Sequence, residues 1–320
     1  MDKNFVVGVD VGGQTTKIGV VDTRGEVLAQ TVIRSDIFGK DADAYIDALA
    51  EAIKNVIKEA DKEGEIRGIG VGAPNGNYYT GSVAFAPNLA WAADTSVPFA
   101  NMLTERLGGI PVSLTNDANA AAVGEMTYGA ARGMKNFIMI TLGTGVGSGI
   151  VINGQVVYGH DGFAGELGHT NVVRYNGRTC GCGKTGCLEA YCSAIGVART
   201  AREWLESSEE PSSLRLVENI TSKDVFEAAK DGDKLALRVF EYTGTLLGRS
   251  FADFVAFSAP EAIVLFGGLA RAKEFLYEPM MRAMNENVLK IWKDKVKIVF
   301  SQLKESDAAI LGASALAWEL

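Results

Sequence analysis

The chain has 320 residues, 47% hydrophobic and 22% charged, which suits a globular protein with two sizeable cores. Its net charge of −8 argues against nucleic acid as the main partner, because binding phosphate backbones needs a basic face. No apolar run reaches membrane-spanning length, and the opening MDKNFVVGVD lacks the apolar stretch of a signal peptide, so the expectation is a cytoplasmic protein with no membrane partner.

In chain order, residues 4–9 (NFVVGV) form an apolar run ending at Asp10. The turn VGGQTTK, the run IGVVD, the turn Thr23-Arg24-Gly25 and the run EVLAQTVI come next, which predicts an antiparallel meander of three strands. Over 41–63 the apolar residues Ile46, Leu49, Ile53, Val56 and Ile57 recur at helical spacing. Residues 66–72 (IRGIGVG) read as a buried strand entering the turn Ala73-Pro74-Asn75-Gly76. Residues 110–117 read as another strand, which ends in Asn116-Asp117 and leads into an alanine-rich helix.

Residues 137–157 then repeat the opening layout: strand FIMITL, turn GTGVG, strand SGIVI, turn Asn153-Gly154, strand QVV. Such a repeat predicts an internal duplication in which each copy begins a domain. Helices are expected over 189–204, over 221–257 with a break at Asp231-Gly232, and over about 271–290. Between the last two, 261–268 is a strand ending in Gly267-Gly268, and KVKIVF is a further strand. Ser306 or Asp307 is placed to cap a last helix. Strands alternating with helices define an α/β class. The expected lobes are 1–117, with the helix at about 306–320 packing back on it, and 118–305, with a metal-binding insertion at 166–189.

That insertion carries the strongest chemical signal. The chain has two histidines and four cysteines, and His169, Cys180, Cys182 and Cys187 fall together between Glu166 and Glu189. Three thiolates and one imidazole are a structural zinc complement, and they fill a tetrahedron with no open position. Cysteines so close would strain as disulfides, and GCGKTG is not a phosphate loop, because Arg178 stands where that motif needs glycine. Two acids beside such a knot suit a site that binds hydroxyl groups.

Gly12-Gly13 and Gly143-Thr144-Gly145-Val146-Gly147 follow strand ends. Glycine turns let backbone N–H groups approach an anion, and Thr15, Thr16 and Thr144 add hydroxyl donors. Each turn leads into another strand rather than a helix, which disfavours a dinucleotide fold. Asp10 is placed to hold Mg2+ through water, and Lys17 to meet phosphate charge. Asp117, at a strand end and helix start, reads either as an N-cap or as the general base for phosphorylating an alcohol. Asn116 beside it is a donor to another hydroxyl.

The stretches Asp10-Val-Gly-Gly-Gln-Thr-Thr-Lys17, Asn116-Asp117-Ala-Asn119, Leu142-Gly-Thr-Gly-Val-Gly147 and Glu166 to Glu189 resemble the ROK family of sugar kinases and sugar-responsive repressors, most closely its bacterial glucokinase branch. The resemblance spans essentially the whole chain. It implies an actin-like (ribonuclease H-like) ATPase fold of two lobes, with the zinc knot in the larger lobe and the active site between them. It implies ATP- and Mg2+-dependent phosphorylation of a hexose 6-hydroxyl, glucose first, with N-acetylmannosamine, N-acetylglucosamine, allose or fructose as alternatives. A non-catalytic sugar sensor is the reading from another class.

By the resemblance, Asp117 is the base, and Asn116, Glu166, His169 and Glu189 contact the sugar, with Asn88 a further contact. Residues 10–17, Gln14 included, and 143–149 are the phosphate turns, Gly267-Gly268 is the adenosine-side turn, and the assembly is a homodimer. Asp10 comes too early for the DNA-binding segment of the repressors. Three positions depart from the family pattern. Gln14 stands for a threonine, Asn75 stands for a glycine, and the stretch 169–177 runs slightly long.

Overall fold

The computed structural model describes residues 3–304 and 306–320. Met1, where the first expected lobe starts, and Glu305, where the second ends, lie outside the described residues. The chain forms two compact units, one of 1–134, 155–165 and 302–320 and one of 135–154 and 166–301.

The first unit opens with the expected meander, β1 (Phe5–Val11), β2 (Thr15–Asp22) and β3 (Val27–Arg34), paired antiparallel. The helix α1 (Ala42–Glu59) starts where the Asp41 side chain accepts from Ala44 N. It buries Ile46, Leu49, Ile53, Val56 and Ile57, the stripe its sequence spacing predicts, and Tyr45 beside them. Strand β4 (Ile66–Gly72) pairs parallel with β1. Then come the short strands β5 (Gly76–Asn77), β6 (Ser82–Ala84) and β7 (Ser96–Val97), which form a small sheet, and helix α2 (Phe99–Arg106). Strand β8 (Val112–Thr115) and helix α3 (Asp117–Thr127) come after them. The main sheet runs β3-β2-β1-β4-β8.

The second unit repeats this order. Strands β9 (Phe137–Leu142) and β10 (Val146–Ile152) form an antiparallel hairpin. Past Asn153 and Gly154, both at positive φ (54° and 78°) as a tight turn requires, the chain passes into β11 (Gln155–Val156), which opens the 155–165 stretch of the first unit. Four helices come next: α4 (Glu189–Cys192), α5 (Ala194–Glu206), α6 (Ser222–Lys230) and α7 (Lys234–Ser258). The helix expected over 189–204 is two helices, because the Ser193 side chain accepts from Gly196 N and restarts the spiral. Asp233 caps α7 in the same way after the expected break. Strand β12 (Ala262–Phe266), helix α8 (Lys273–Asn287) and strand β13 (Lys297–Phe300) complete the unit. The sheet order is β11-β10-β9-β12-β13, and its run β10-β9-β12-β13 matches β2-β1-β4-β8 strand for strand, parallel and antiparallel pairs included.

The chain returns to the first unit as α9 (Ala308–Ala315). Asp307 stands at its N-cap without a side-chain bond. A β-carbon on Gly8 would lie 2.0 Å from Ile310 O and one on Gly70 1.8 Å from Ala313 O, so glycines in β1 and β4 let the helix backbone lie directly on the sheet. Helix α3 packs on α9 and β4, and so stays with the first unit. Among the described residues no helix is long and apolar enough to cross a membrane.

Candidate active site

In the first unit the parallel strands β1 and β4 end side by side, with Asp10 in register with Gly72 and, across the meander, with Lys17. Ligands of open α/β sheets gather at such carboxyl ends. The turn after β1 is closed by Gly12 N donating to Thr15 O at 3.0 Å. A side chain on Gly13 would meet Asn88 O at 2.8 Å, so this turn and the 88 loop touch through backbone, and the Asn88 side chain is exposed. Asp10 is half-buried, and its carboxyl is pushed up to about 6 by burial first and by the charge of Asp117 second, with Lys17 opposing.

Asn116, not Asp117, is the N-cap of α3. Its Oδ1 accepts from Ala118 N at 2.8 Å, which leaves its Nδ2 as a donor to something else. Asp117 is the first residue of the helix, and its Oδ1 shares the same Ala118 N–H at 2.8 Å. Water reaches the Asp117 side chain, yet protein crowds it on its other sides. That lost hydration pushes the carboxyl up, and the Ala118 N–H holds it partly back.

Three positions in this half bear on the sequence expectations. Gln14 and Thr15 are exposed on the turn. Thr16 is fully buried, with its Oγ1 bonded to Ser35 Oγ at 2.9 Å and Tyr45 Oη at 2.6 Å. The expectation that its hydroxyl faces a phosphate is therefore corrected, because strand alternation turns it into the core beside α1. Asn75 has φ 52°, a left-handed conformation that asparagine tolerates better than most residues, and its Nδ2 donates to Ala84 O and Phe85 O at 3.1 and 2.9 Å. It holds the β6 end in place.

The second unit carries its own glycine turn. Gly143 N donates to Gly145 O at 3.0 Å to close the turn, and Val146 N donates to Glu189 Oε2 at 2.9 Å. Any side chain on Gly145 would lie 2.4 Å from that oxygen, and one on Gly168 would lie 2.0 Å from Val146 O. Leu167 N donates to Ser148 Oγ at 3.1 Å. The glycine turn and the short helix Leu167–His169 are thus one packed body, clamped by Glu189 at the start of α4. Sequence reasoning named Glu189 as a sugar contact and missed this bond, and it missed Ser148 and Gly168. The only signal for Gly168 is its place in Glu-Leu-Gly-His. Gly267 and Gly268 lie where β12 passes into a short helix, Gly268–Ala272.

His169 Nδ1 lies 3.7 Å from Cys180 Sγ, and Cys182 Sγ lies 3.7 Å from Cys187 Sγ. All four candidate ligand atoms fall within 4.8 Å of one another. A zinc–sulfur bond of about 2.3 Å sets tetrahedral ligand–ligand edges of about 3.8 Å, so these side chains fit one zinc ion. The other imidazole nitrogen, Nε2, faces Glu166 Oε2 at 3.9 Å. Glu189 Oε1 lies 3.5 Å from Cys180 Sγ, so this one carboxylate touches both the cysteine knot and the glycine turn. Cys192 is buried on α4 toward Thr243 O and lies outside the set.

A duplicated mixed sheet with a glycine turn in each copy, a carboxylate at a helix start and a Cys3His cluster define an α/β protein of the sugar-kinase type. The chain matches the ROK family over residues 6–319 and belongs to it. It is 38% identical to a glucokinase of Halalkalibacterium halodurans over 98% of this chain and 94% of that protein. Among solved structures it resembles a ROK family glucokinase from Streptomyces griseus in complex with glucose and AMPPNP, at 32% identity and TM-score 0.79 over 99% of this chain and 100% of that one. It also resembles a ROK hexokinase from Thermus thermophilus, at 31% identity and TM-score 0.82 over 98% of each chain.

Proposed function

We propose that this protein is an ATP-dependent hexose kinase of the actin-like ATPase fold that converts glucose to glucose 6-phosphate. The observation that carries the reading is Asp117, a carboxylate with raised proton affinity at the start of α3, in a chain 38% identical to a glucokinase over nearly its whole length. Asp117 accepts the proton of the 6-hydroxyl as that oxygen bonds to the γ-phosphorus and the bond from phosphorus to the bridging oxygen breaks, releasing ADP. A carboxylate with a raised pKa is a stronger base at neutral pH, which favours the transfer.

Asn116 Nδ2, Glu166, Glu189 and the Nε2 of His169 orient the sugar hydroxyls, with Asn88 beside the first turn. Backbone N–H groups of 12–15 and 143–147 hold phosphate oxygens, Lys17 adds charge, and Gly267-Gly268 lets the adenosine approach. Magnesium, when held near Asp10, neutralises phosphate charge. His169, Cys180, Cys182 and Cys187 hold a structural zinc that fixes the ring of His169. Clustered thiols suit a reducing compartment, and so the cytoplasm, and a homodimer is the expected assembly.

The test is ADP release from Mg-ATP across a panel of hexoses and N-acetylhexosamines. Strong turnover with glucose alone is the expected result. Turnover with another sugar moves the substrate and keeps the chemistry. No turnover by zinc-loaded protein with any sugar leaves a sugar-binding protein without a reaction.

A further inference from the structure

A cavity of about 470 Å³ opens in the second unit between the stretch 173–179 and helices α5 and α7. That volume is in the range of small-molecule sites. Its floor is a charge cluster. Arg178 donates through Nε and Nη2 to Glu203 Oε2, and Arg199 donates through Nε to Glu203 Oε1 at 2.7 Å. Two guanidinium groups share one carboxylate, so the floor keeps one positive charge in excess. Arg178 is 9% exposed and fully engaged, with Nη1 on Ala190 O and Gly196 O and its plane over the Tyr191 ring at 4.5 Å. Arg199 bonds Glu203 through Nε and lines the cavity with its side chain 42% exposed, so its Nη groups are within reach of a ligand there.

Two aromatic residues share this lining. Trp204 and Tyr242 have ring centroids 5.5 Å apart and planes tilted by 56°, and both line the cavity. The Arg238 guanidinium lies 5.0 Å from the Trp204 ring but is neutralised by Glu210, so it braces the ring without adding charge to the floor. An anion-binding fork and aromatic rings in one cavity suit a molecule with a phosphate or carboxylate on one end and a ring with apolar faces on the other.

We propose that this cavity binds a hexose phosphate, with its phosphate on the Nη groups of Arg199 and its pyranose ring against Trp204 and Tyr242. The choice of a hexose phosphate rests on the kinase reading, in which this compound is the product. The cavity also reaches the reaction machinery through covalent neighbours. Arg178 stands two residues before Cys180, and its Nη1 holds the carbonyl of Ala190, the residue after Glu189. Glu189 in turn holds Val146 N of the glycine turn. A ligand that pulls Arg199 from Glu203 shifts the partner on which Arg178 rests, and with it the loop that carries the cysteine knot. Product bound there lowers turnover without competing with sugar.

The test is calorimetric titration of the full chain, saturated with glucose and a non-hydrolysable ATP analogue so that the reaction site is filled. Glucose 6-phosphate, inorganic phosphate and glucose are the titrants. The expected result is saturable binding of glucose 6-phosphate that Arg199→Gln and Trp204→Leu each weaken by about tenfold or more, as loss of a charge-assisted contact or of a stacking face does. In initial-rate assays glucose 6-phosphate then lowers kcat at saturating glucose for the parent chain and not for Arg199→Gln, whose basal rate is unchanged. No binding, or binding in both variants as tight as in the parent chain, overturns the proposal. Inorganic phosphate binding as tightly as glucose 6-phosphate overturns the part assigned to the ring. A chain without kinase turnover that still binds glucose 6-phosphate through Arg199 sinks the assigned reaction and leaves the cavity standing, whereas turnover with no Arg199-dependent binding sinks the cavity alone.

Discussion

Asp10 and Asp117 are both carboxylates whose folded setting favours the proton. For Asp10 the usual value is 3.8 and the folded value about 6, so proton binding favours the folded state. That contribution is complete below about pH 4 and is lost as pH rises through about 6. Asn imitates the protonated form. In ligand-free protein, Asp10→Asn is therefore expected to match the parent chain near pH 4 and to exceed it at pH 8 by up to about 3 kcal/mol, less whatever water screens at this half-buried group. Urea titrations at the two pH values read this directly, and equal stability at pH 8 refutes it. Asp117→Asn is a different experiment. Asn116 keeps the cap, so the circular dichroism spectrum should be unchanged while kcat falls by about 10²–10⁴-fold or more. Retained turnover removes Asp117 as the base. Asp117 was legible from its place between a strand and a helix. The inward turn of Thr16 was not, because facing depends on register with a helix far along the chain. Nor was the second role of Glu189, whose partner Val146 lies 43 positions away.

Elements with strong periodicity were read correctly because burial alone dictates them. Strands β1 and β9 are apolar runs, and α1 shows its core face at every turn. The small sheet β5-β6-β7 left no such trace, since strands of two or three residues carry no period. Helix α2 has only three buried residues to announce it. What holds α9 to its sheet is also invisible to pattern, because glycines in β1 and β4 look like weak strand positions until their neighbour is known. Gly70→Ala places a methyl group 1.8 Å from Ala313 O, a backbone atom that cannot swing aside. The strand and helix must then part, at a cost of about 2–3 kcal/mol, visible as a lower urea midpoint at unchanged slope. An unchanged midpoint would mean that α9 does not rest on β4 in solution.

At the scale of the molecule, the duplication that two glycine-rich meanders hinted at is written in the sheet orders, while the two copies diverge once their third strands are complete. In the second, the stretch between β11 and α4 builds the cysteine knot against the glycine turn. On the zinc reading proposed above, an ion held there stabilises more than its own loop. Elemental analysis should find about one zinc per chain. Stripping it with a chelator should lower Tm by several degrees and raise KM for the sugar, since Glu166, His169 and Glu189 lose their common anchor. Chelated, zinc-free protein with unchanged Tm and KM would show that the knot holds itself.

The position of α9 also sets an order of events. Residues 302–320 complete the first unit, whereas those of the second are all present by Ser301. A chain leaving the ribosome therefore carries Gly8 of β1, and then Gly70 of β4, uncovered until α9 is made, and the second core can close while the first still waits for its last helix. The part made first is finished last, so a nascent chain stalled anywhere short of α9 exposes one sheet face to chaperones or to its neighbours on the polysome.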